Sequence, residues 1–346
     1  MKRIVIKIGT NLLTEKLCGL KTEFINQVAK QIADLKKQGN EIIIVTSGAI
    51  GAGCTELNIK KSREVEVRQA LAAVGQSTVM RAYHDAFSKH NLKVAQILLT
   101  YEDFSNRSRY LHLRNALNKL LELKVIPIIN ENDPISVDEI GATFGDNDKL
   151  SALVASKVNA NLLIILTDID GLYDKNPKTN KDAKLIRVVD NITKDIEKAA
   201  GKSGSEFSIG GMLTKIKAAK IALDSGCNMI ICNGKKDNVL AKAIEGKEGT
   251  LFTSKEKLSN KQRWIKFSKA KGKLVINTCA VDVLSKGKVS LLAIGVDKVV
   301  GDFDKGDIVE IGDIAKGIVD ISSEEINKFK GQKGKVVVKS ESIVLF

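Results

Sequence analysis

Six short segments of this sequence gather its chemically capable residues: KIGTN around Lys7, TSGAIGAG at 46–53, NENDP at 130–134, FGDNDK at 144–149, TDIDGLY at 167–173 and IGGMLTK at 209–215. Lys7 interrupts an apolar run, where a lysine is costly unless an anion meets it or its stem snorkels to solvent. In the second segment Gly48, Gly51 and Gly53 let backbone approach a charged ligand and Ser47 offers a hydroxyl, yet no lysine is present. The segment matches neither G-x-x-x-x-G-K-[ST] nor G-x-G-x-x-G. Asn130, Glu131, Asn132, Asp133, Asp146, Asn147 and Asp148 cluster around a helix start. An N-cap explains one of them. The others suit hydrogen bonding to a small polar substrate, with Mg²⁺ nearby, because the spacing fails the EF-hand pattern and the cluster has no histidine. Lys215 follows Gly210 and Gly211 at the opening of a helical pattern, where free N–H groups and the dipole attract phosphate. Lys7 and Lys215 together supply the charge that the glycine-rich turn lacks. Such a site suits phosphoryl transfer without a Walker loop, a reaction that asks mainly for positioning and charge neutralisation.

These residues need a scaffold that brings distant segments together. The runs RIVIKI (3–8), EIIIV (41–45), KVAQILLT (93–100), VIPIIN (125–130), NLLIILT (161–167) and NMIICN (228–233) read as strands buried on both faces. Amphipathic stretches lie between them, including Phe24, Ile25, Val28, Ile32 and Leu35 on one stripe and Leu111, Leu113, Ala116, Leu117, Leu120 and Leu121 on another. The alternation predicts an α/β domain over 1–254, a mostly parallel sheet sandwiched by helices, with ligands beyond the carboxyl ends of the strands. A loop-like linker over 255–270 leads to a small, mainly β domain over 271–346, where strand alternation and Gly-Asp or Gly-Lys turns replace helical spacing.

Composition sets wider limits. A chain of 346 residues exceeds one typical core. The net charge of +14 suits anionic partners, nucleic acid or phosphorylated and carboxylated small molecules, but the lysines are spread along the chain. Five cysteines form no C-x-x-C pair, which argues for reduced thiols and against a metal or disulfide framework. Lys7 breaks the first apolar run before a signal-peptide core is complete, and no run is long enough to cross a membrane. The expected location is the cytoplasm, with no membrane partner.

KIGT, VTSGAIGAG, ALAAVGQ (70–76), PIINEND, FGDNDKLSALVA, LTDIDGLY and GGMLTK, in this order and spacing, resemble the glutamate 5-kinases of the amino acid kinase family. The tail is similar to a PUA domain, and the resemblance covers essentially the whole chain. It implies ATP-dependent phosphorylation of the L-glutamate side-chain carboxylate to L-glutamyl 5-phosphate, the first step of proline biosynthesis, with Mg²⁺. It also implies Lys7 on the ATP phosphates, and Ser47, Asp133 and Asn147 on glutamate. Thr167 and Asp168 would lie at the nucleotide, as would Ile209, Gly210, Gly211, Met212, Leu213, Thr214 and Lys215, the last facing the phosphates. Asp148, by its position, is read as the organiser of the two lysines. The acceptor carboxylate is already ionised at neutral pH, so no general base is required. Ile209 stands where the family commonly has a small polar residue, a departure that bears on how the loop grips phosphate. Proline as feedback inhibitor and assembly into a homo-oligomer are further implications. Carbamate, acetylglutamate, aspartate and uridylate kinases share the two-lysine logic, but the NEND and GDND pair with a PUA-like tail fits them poorly. RNA binding through the tail is the reading of a different class, weakened by the few aromatics there: Phe303, Phe329 and Phe346.

Overall fold

The computed structural model describes residues 1–14, 19–60, 62, 64–136, 147–177, 179–194, 196–197, 211–254, 258–287 and 289–346. The chain divides into two compact units, Met1–Asp103 with Ser108–Lys257, and Phe104–Arg107 with Leu258–Phe346.

Unit 1 is built on strands β1 (Arg3–Ile8), β2 (Glu41–Val45), β3 (Val94–Leu99), β4 (Ile126–Glu131), β5 (Leu162–Thr167), β6 (Val188–Val189), β7 (Asn228–Asn233) and β8 (Thr250–Phe252). Their order is β3-β4-β2-β1-β5-β7-β8-β6. The first six in this order are parallel, whereas β8 runs antiparallel to β7 and parallel to β6. The six apolar runs of the sequence are the six parallel strands. The short strands β6 and β8 carry too little apolar pattern to announce themselves.

Helices α1 (Thr10–Leu13), α2 (Thr22–Lys37), α3 (Ala49–Leu57), α4 (Val65–Ser88), α5 (Glu102–Ser105), α6 (Arg107–Glu122) and α7 (Asp148–Lys157) follow in chain order, and a later helix spans Met212–Asp224. The stripe of α2 is buried at Ile25, Val28, Ile32 and Leu35, packed in one core with Ile4, Ile6, Ile42 and Ile164 of the sheet. On α6 only Leu117 and Leu121 of the expected stripe are buried, and Leu111 is exposed. The chain leaves β1 toward β2 on one side and leaves β5 toward β7 on the other. This reversal makes the carboxyl ends of β1 and β5 the topological switch point of the sheet, the place where open α/β sheets bind ligands.

The glycines of the 46–53 segment divide their labour differently from the ligand-approach reading. Gly48, with φ 96°, is the turn from β2 into α3. Gly53 is at a helix crossing: a Cβ there would lie 1.9 Å from the Leu71 carbonyl oxygen of α4. Gly75 answers from α4, where a Cβ would lie 1.9 Å from the Ala49 oxygen. Two backbones in such contact admit no side chain. Gly75→Ala should destabilise the protein by about 3 kcal/mol, the upper end for overpacking, and a thermal unfolding midpoint equal to that of the unaltered chain would contradict the crossing.

Unit 2 holds strands β9 (Gly272–Ile276), β10 (Leu291–Leu292), β11 (Val296–Val300), β12 (Ile308–Ile311), β13 (Ala315–Val319) and β14 (Val336–Leu345) in the order β10-β14-β13-β12-β9-β11. All pairings are antiparallel except β12 with β9. Leu274, Val309, Ile311, Ala315, Ile326 and Val337 form its core. The stretch read as a loop-like linker contains a helix, Asn260–Phe267, started by a capping box. The Ser259 hydroxyl accepts from the Gln262 N–H at 3.3 Å, and the Gln262 side chain accepts from the Ser259 N–H at 2.9 Å.

Candidate active site

Lys7 lies inside β1 rather than at its rim: it aligns with Val45 of β2 and Ile165 of β5 and is only 1% exposed. A charged side chain buried to that extent needs a counter-ion. Asp148, the first residue of α7 and itself 0% exposed, provides it: Lys7 Nζ lies 2.8 Å from Asp148 Oδ1. Lys215, in the first turns of the Met212–Asp224 helix, places its Nζ 3.1 Å from the other oxygen, Oδ2. The Thr214 hydroxyl also reaches Oδ2, at 2.9 Å. One carboxylate therefore holds two buried ammonium groups whose parent residues are 208 positions apart. Its net result is a fixed centre of single positive charge, with the helix start at Gly211 beside it.

Asn147 precedes Asp148 as the N-cap of α7, but its side chain does not cap. Its Nδ2 donates instead to the Thr46 carbonyl, to Ser47 Oγ at 3.1 Å and to Asn130 Oδ1 at 2.8 Å. The capping explanation for this asparagine is thus replaced by a tertiary one: Asn147 ties the end of β2 to the end of β4. Asn130 passes the link on, donating from Nδ2 to Gln76 Oε1 at 2.9 Å. Thr46 Oγ1 meets the hydroxyl of Tyr83 at 2.8 Å, which anchors the same corner to α4. Gln76 enters the sequence reading only as the last residue of the ALAAVGQ motif, with no role of its own. Its signal was a polar residue set among Ala72, Gly75, Val79 and Tyr83 on the buried face of a helix.

Asp133, just past β4, titrates near 6 because burial raises its pKa and Glu131 adds to the effect, against a smaller opposing influence of Arg68. The folded state thus keeps a proton that the unfolded chain has released, so this group makes folding less favourable as pH rises from about 4 to about 6. Glu131 is oriented by Ser136, whose hydroxyl donates to Oε1 at 2.6 Å.

On the other side of Lys7, Thr167 ends β5 and donates to Asp168 Oδ1 at 3.3 Å, while Asn11 donates to Asp168 Oδ2 at 3.2 Å. Burial works to raise the Asp168 pKa, but hydrogen bonds from Asn11, its own backbone N–H and Thr167, aided by Lys235, leave it below the usual carboxylate value. Asp170 is tied to Asn233 Nδ2 at 2.9 Å and Lys236 Nζ at 3.2 Å. Among the expected residues, Lys7, Lys215, Asp148 and Thr214 share direct contacts, as do Ser47 with Asn147 and Thr167 with Asp168. Gly211, Met212 and Leu213 open the helix that carries Lys215. Ile209, Gly210 and Asp146 lie outside the described residues.

A mostly parallel sheet that buries two cations on one carboxylate at its switch point suits an enzyme that moves a phosphoryl group by charge and position. Residues 2–233 match the amino acid kinase family and residues 272–342 match the PUA domain. The chain belongs to the amino acid kinase family, with a PUA domain toward its carboxyl end. Its curated relatives include glutamate 5-kinase of Methanosarcina barkeri, 52% identical over 345 residues that cover 96% of this chain and 90% of the relative. Glutamate 5-kinase of Thermoanaerobacter pseudethanolicus is 47% identical over 340 residues, covering 96% of this chain and 91% of its own. A solved UMP kinase from Ureaplasma parvum aligns with a TM-score of 0.49 at 18% identity, over 73% of this chain and 99% of its own.

Proposed function

We propose that this chain catalyses the glutamate 5-kinase reaction. A side-chain carboxylate oxygen of L-glutamate attacks the γ-phosphorus of ATP, the bond from that phosphorus to the bridging oxygen breaks, and L-glutamyl 5-phosphate and ADP leave. Proline biosynthesis begins with this step. The observation that carries the reading is the pair of buried lysines on one aspartate at the β1–β5 switch point, in a chain about half identical to glutamate 5-kinases along nearly its whole length.

The chemistry follows from the charges. A carboxylate and a polyphosphate repel each other, and the nucleophile needs no deprotonation. Lys7 and Lys215 face that repulsion from two sides, stabilising charge on the transferring phosphoryl and on departing ADP. Asp148 holds both ammonium groups in place before substrate arrives, so little reorganisation is left for the transition state. The first N–H groups of the Met212–Asp224 helix take phosphate oxygens, with Thr167 and Asp168 at the nucleotide. Ser47, Asn147 and Asn130 line the acceptor side, and Asp133 takes the α-ammonium group of glutamate.

Among the described residues no three His, Cys, Asp or Glu side chains are grouped as a metal cage. Both oxygens of Asp148 already face lysines. These residues fit a Mg²⁺ carried with ATP rather than caged by the protein: Asp168 would hold it, and it would supply neutralisation of polyphosphate charge.

If Asp133 binds the ammonium group as an anion, kcat/KM for glutamate should fall about tenfold per pH unit below about 6, where Asp133 gains its proton. Asp133→Asn should lower kcat/KM and flatten that limb. A pH profile unchanged by the substitution would remove Asp133 from this role.

The tail gives little support to the RNA reading. Residues 271–346 hold 12 lysines, no arginine and 11 acidic residues, so the basic excess of the chain lies elsewhere. No described helix is long and apolar enough to cross a membrane. ADP release that depends on L-glutamate, together with trapping of the acyl phosphate by hydroxylamine, tests the function, with Lys215→Ala as control. A different acid supporting turnover while glutamate does not would overturn it.

A further inference from the structure

The amide network at the acceptor side has a direction. The Thr46 carbonyl can only accept, so Asn147 must turn its Nδ2 toward it. That same nitrogen donates to Asn130, which must present Oδ1 and turn its own Nδ2 to Gln76. Gln76 must then present Oε1 to Asn130, which leaves its Nε2 on the far side. Flipping Asn130 would set nitrogen against nitrogen toward Asn147 at 2.8 Å and oxygen against oxygen toward Gln76 at 2.9 Å, and flipping Gln76 would set nitrogen against nitrogen toward Asn130. Gln76 is 8% exposed, and its Nε2 finds no acceptor among the described residues. Buried amide donors are rarely left unpaired in native proteins, because they lose water and gain nothing in return. A chain of amides that begins on a backbone carbonyl therefore ends in a donor awaiting an acceptor.

We propose that Gln76 is a substrate-binding residue whose Nε2 donates to the α-carboxylate of the amino acid. The proposal deepens the glutamate reading and rests on it. Asn147 is the chain neighbour of Asp148, which holds the lysines, whereas Gln76 stands two hydrogen bonds further on, beyond Asn130. It thus belongs to the end of the substrate away from the reacting carboxylate. Asp133, three residues beyond Asn130, receives the ammonium group on the same carbon. A neutral donor suits this position: it pairs with a carboxylate without neutralising Asp133, and it leaves the lysine charge for the phosphoryl group. Arrangements of this kind reject substrates that lack the group they were built to bind.

The test compares L-glutamate with 4-aminobutanoate, which keeps the amine and the reacting carboxylate but has no α-carboxylate. Kinetics of the unaltered protein, Gln76→Met and Gln76→Glu are measured with both, the analogue as substrate or as competitive inhibitor. Gln76→Met should lower kcat/KM for glutamate by about 10- to 100-fold, mainly through KM, as expected for a lost charge-assisted hydrogen bond. The constant for 4-aminobutanoate should move by less than about twofold. Gln76→Glu should weaken glutamate further by setting two carboxylates against each other, and it keeps an acceptor for Asn130 should the methionine variant fail to fold. Equal losses with both compounds, or no loss with glutamate, would overturn the proposal and reduce Gln76 to a support for Asn130. An unaltered protein that releases no ADP in response to glutamate would instead sink the kinase reading itself.

Discussion

Lys215→Ala should lower kcat by roughly 10²- to 10³-fold, the usual loss when one preorganised donor to developing charge is removed. Lys215 is 4% exposed and its ammonium group is already held by Asp148 before any ligand binds. Its contribution to catalysis therefore needs no reorganisation, and low dielectric makes it larger than in water. In the variant, Asp148 keeps Lys7 and the Thr214 hydroxyl, so the fold should survive while the phosphoryl loses one of its two cations. Lys215→Arg should recover little, because a planar guanidinium cannot replace a compact ammonium group on one carboxylate oxygen. Steady-state kinetics with ATP and glutamate varied separately would check this. A rise in KM for ATP with unchanged kcat would mean that Lys215 binds ground state and transition state equally, contrary to the role assigned here. Lys7→Ala should behave in the same way from the opposite side of Asp148.

The second large effect concerns Asp148. Asp148→Asn removes the carboxylate charge that lies between two buried ammonium groups. Breaking a buried ion pair by deleting one partner costs about 3–5 kcal/mol, and here two cations are left facing each other. Urea unfolding should show a loss of that size at neutral pH, with kcat reduced as well. ATP should narrow the gap to the unaltered protein, because a polyphosphate bound only by the folded state supplies negative charge. Equal stability of the two proteins at neutral pH would show that Asp148 does not carry the pair.

Much of this architecture was legible in the residues alone. The six parallel strands stood out because strands covered on both faces need apolar side chains on both, which makes short unbroken runs of Ile, Leu and Val. Lys7 stood out for the converse reason, as a charge in a place that should have none. The glycine start before Lys215 and the cluster of Asn and Asp around position 147 were visible as local exceptions to helix and loop composition. The capping box of Ser259 and Gln262 was equally local, yet the basic composition around it favoured a loop reading. By contrast, Gly53 and Gly75 are 22 positions apart; Gly53 reads as a glycine for ligand approach and Gly75 only as part of the ALAAVGQ motif. Only the crossing of α3 and α4 makes them partners.

The sequence by itself determined which six segments become the parallel strands, which face of α2 turns inward, and which charged residues would be out of place in an apolar interior. These are properties of short windows, set by side-chain periodicity and the cost of burying charge. Tertiary structure alone decided that Lys7 and Lys215 share the two oxygens of Asp148. It also decided that Asn147 abandons its cap to join Thr46, Ser47 and Asn130, and that Gln76 closes the chain of amides. Hydrogen bonds and ion pairs depend on distances of about 3 Å between atoms, and for residues separated by 17 to 141 positions such distances are set by the sheet order rather than by any local pattern.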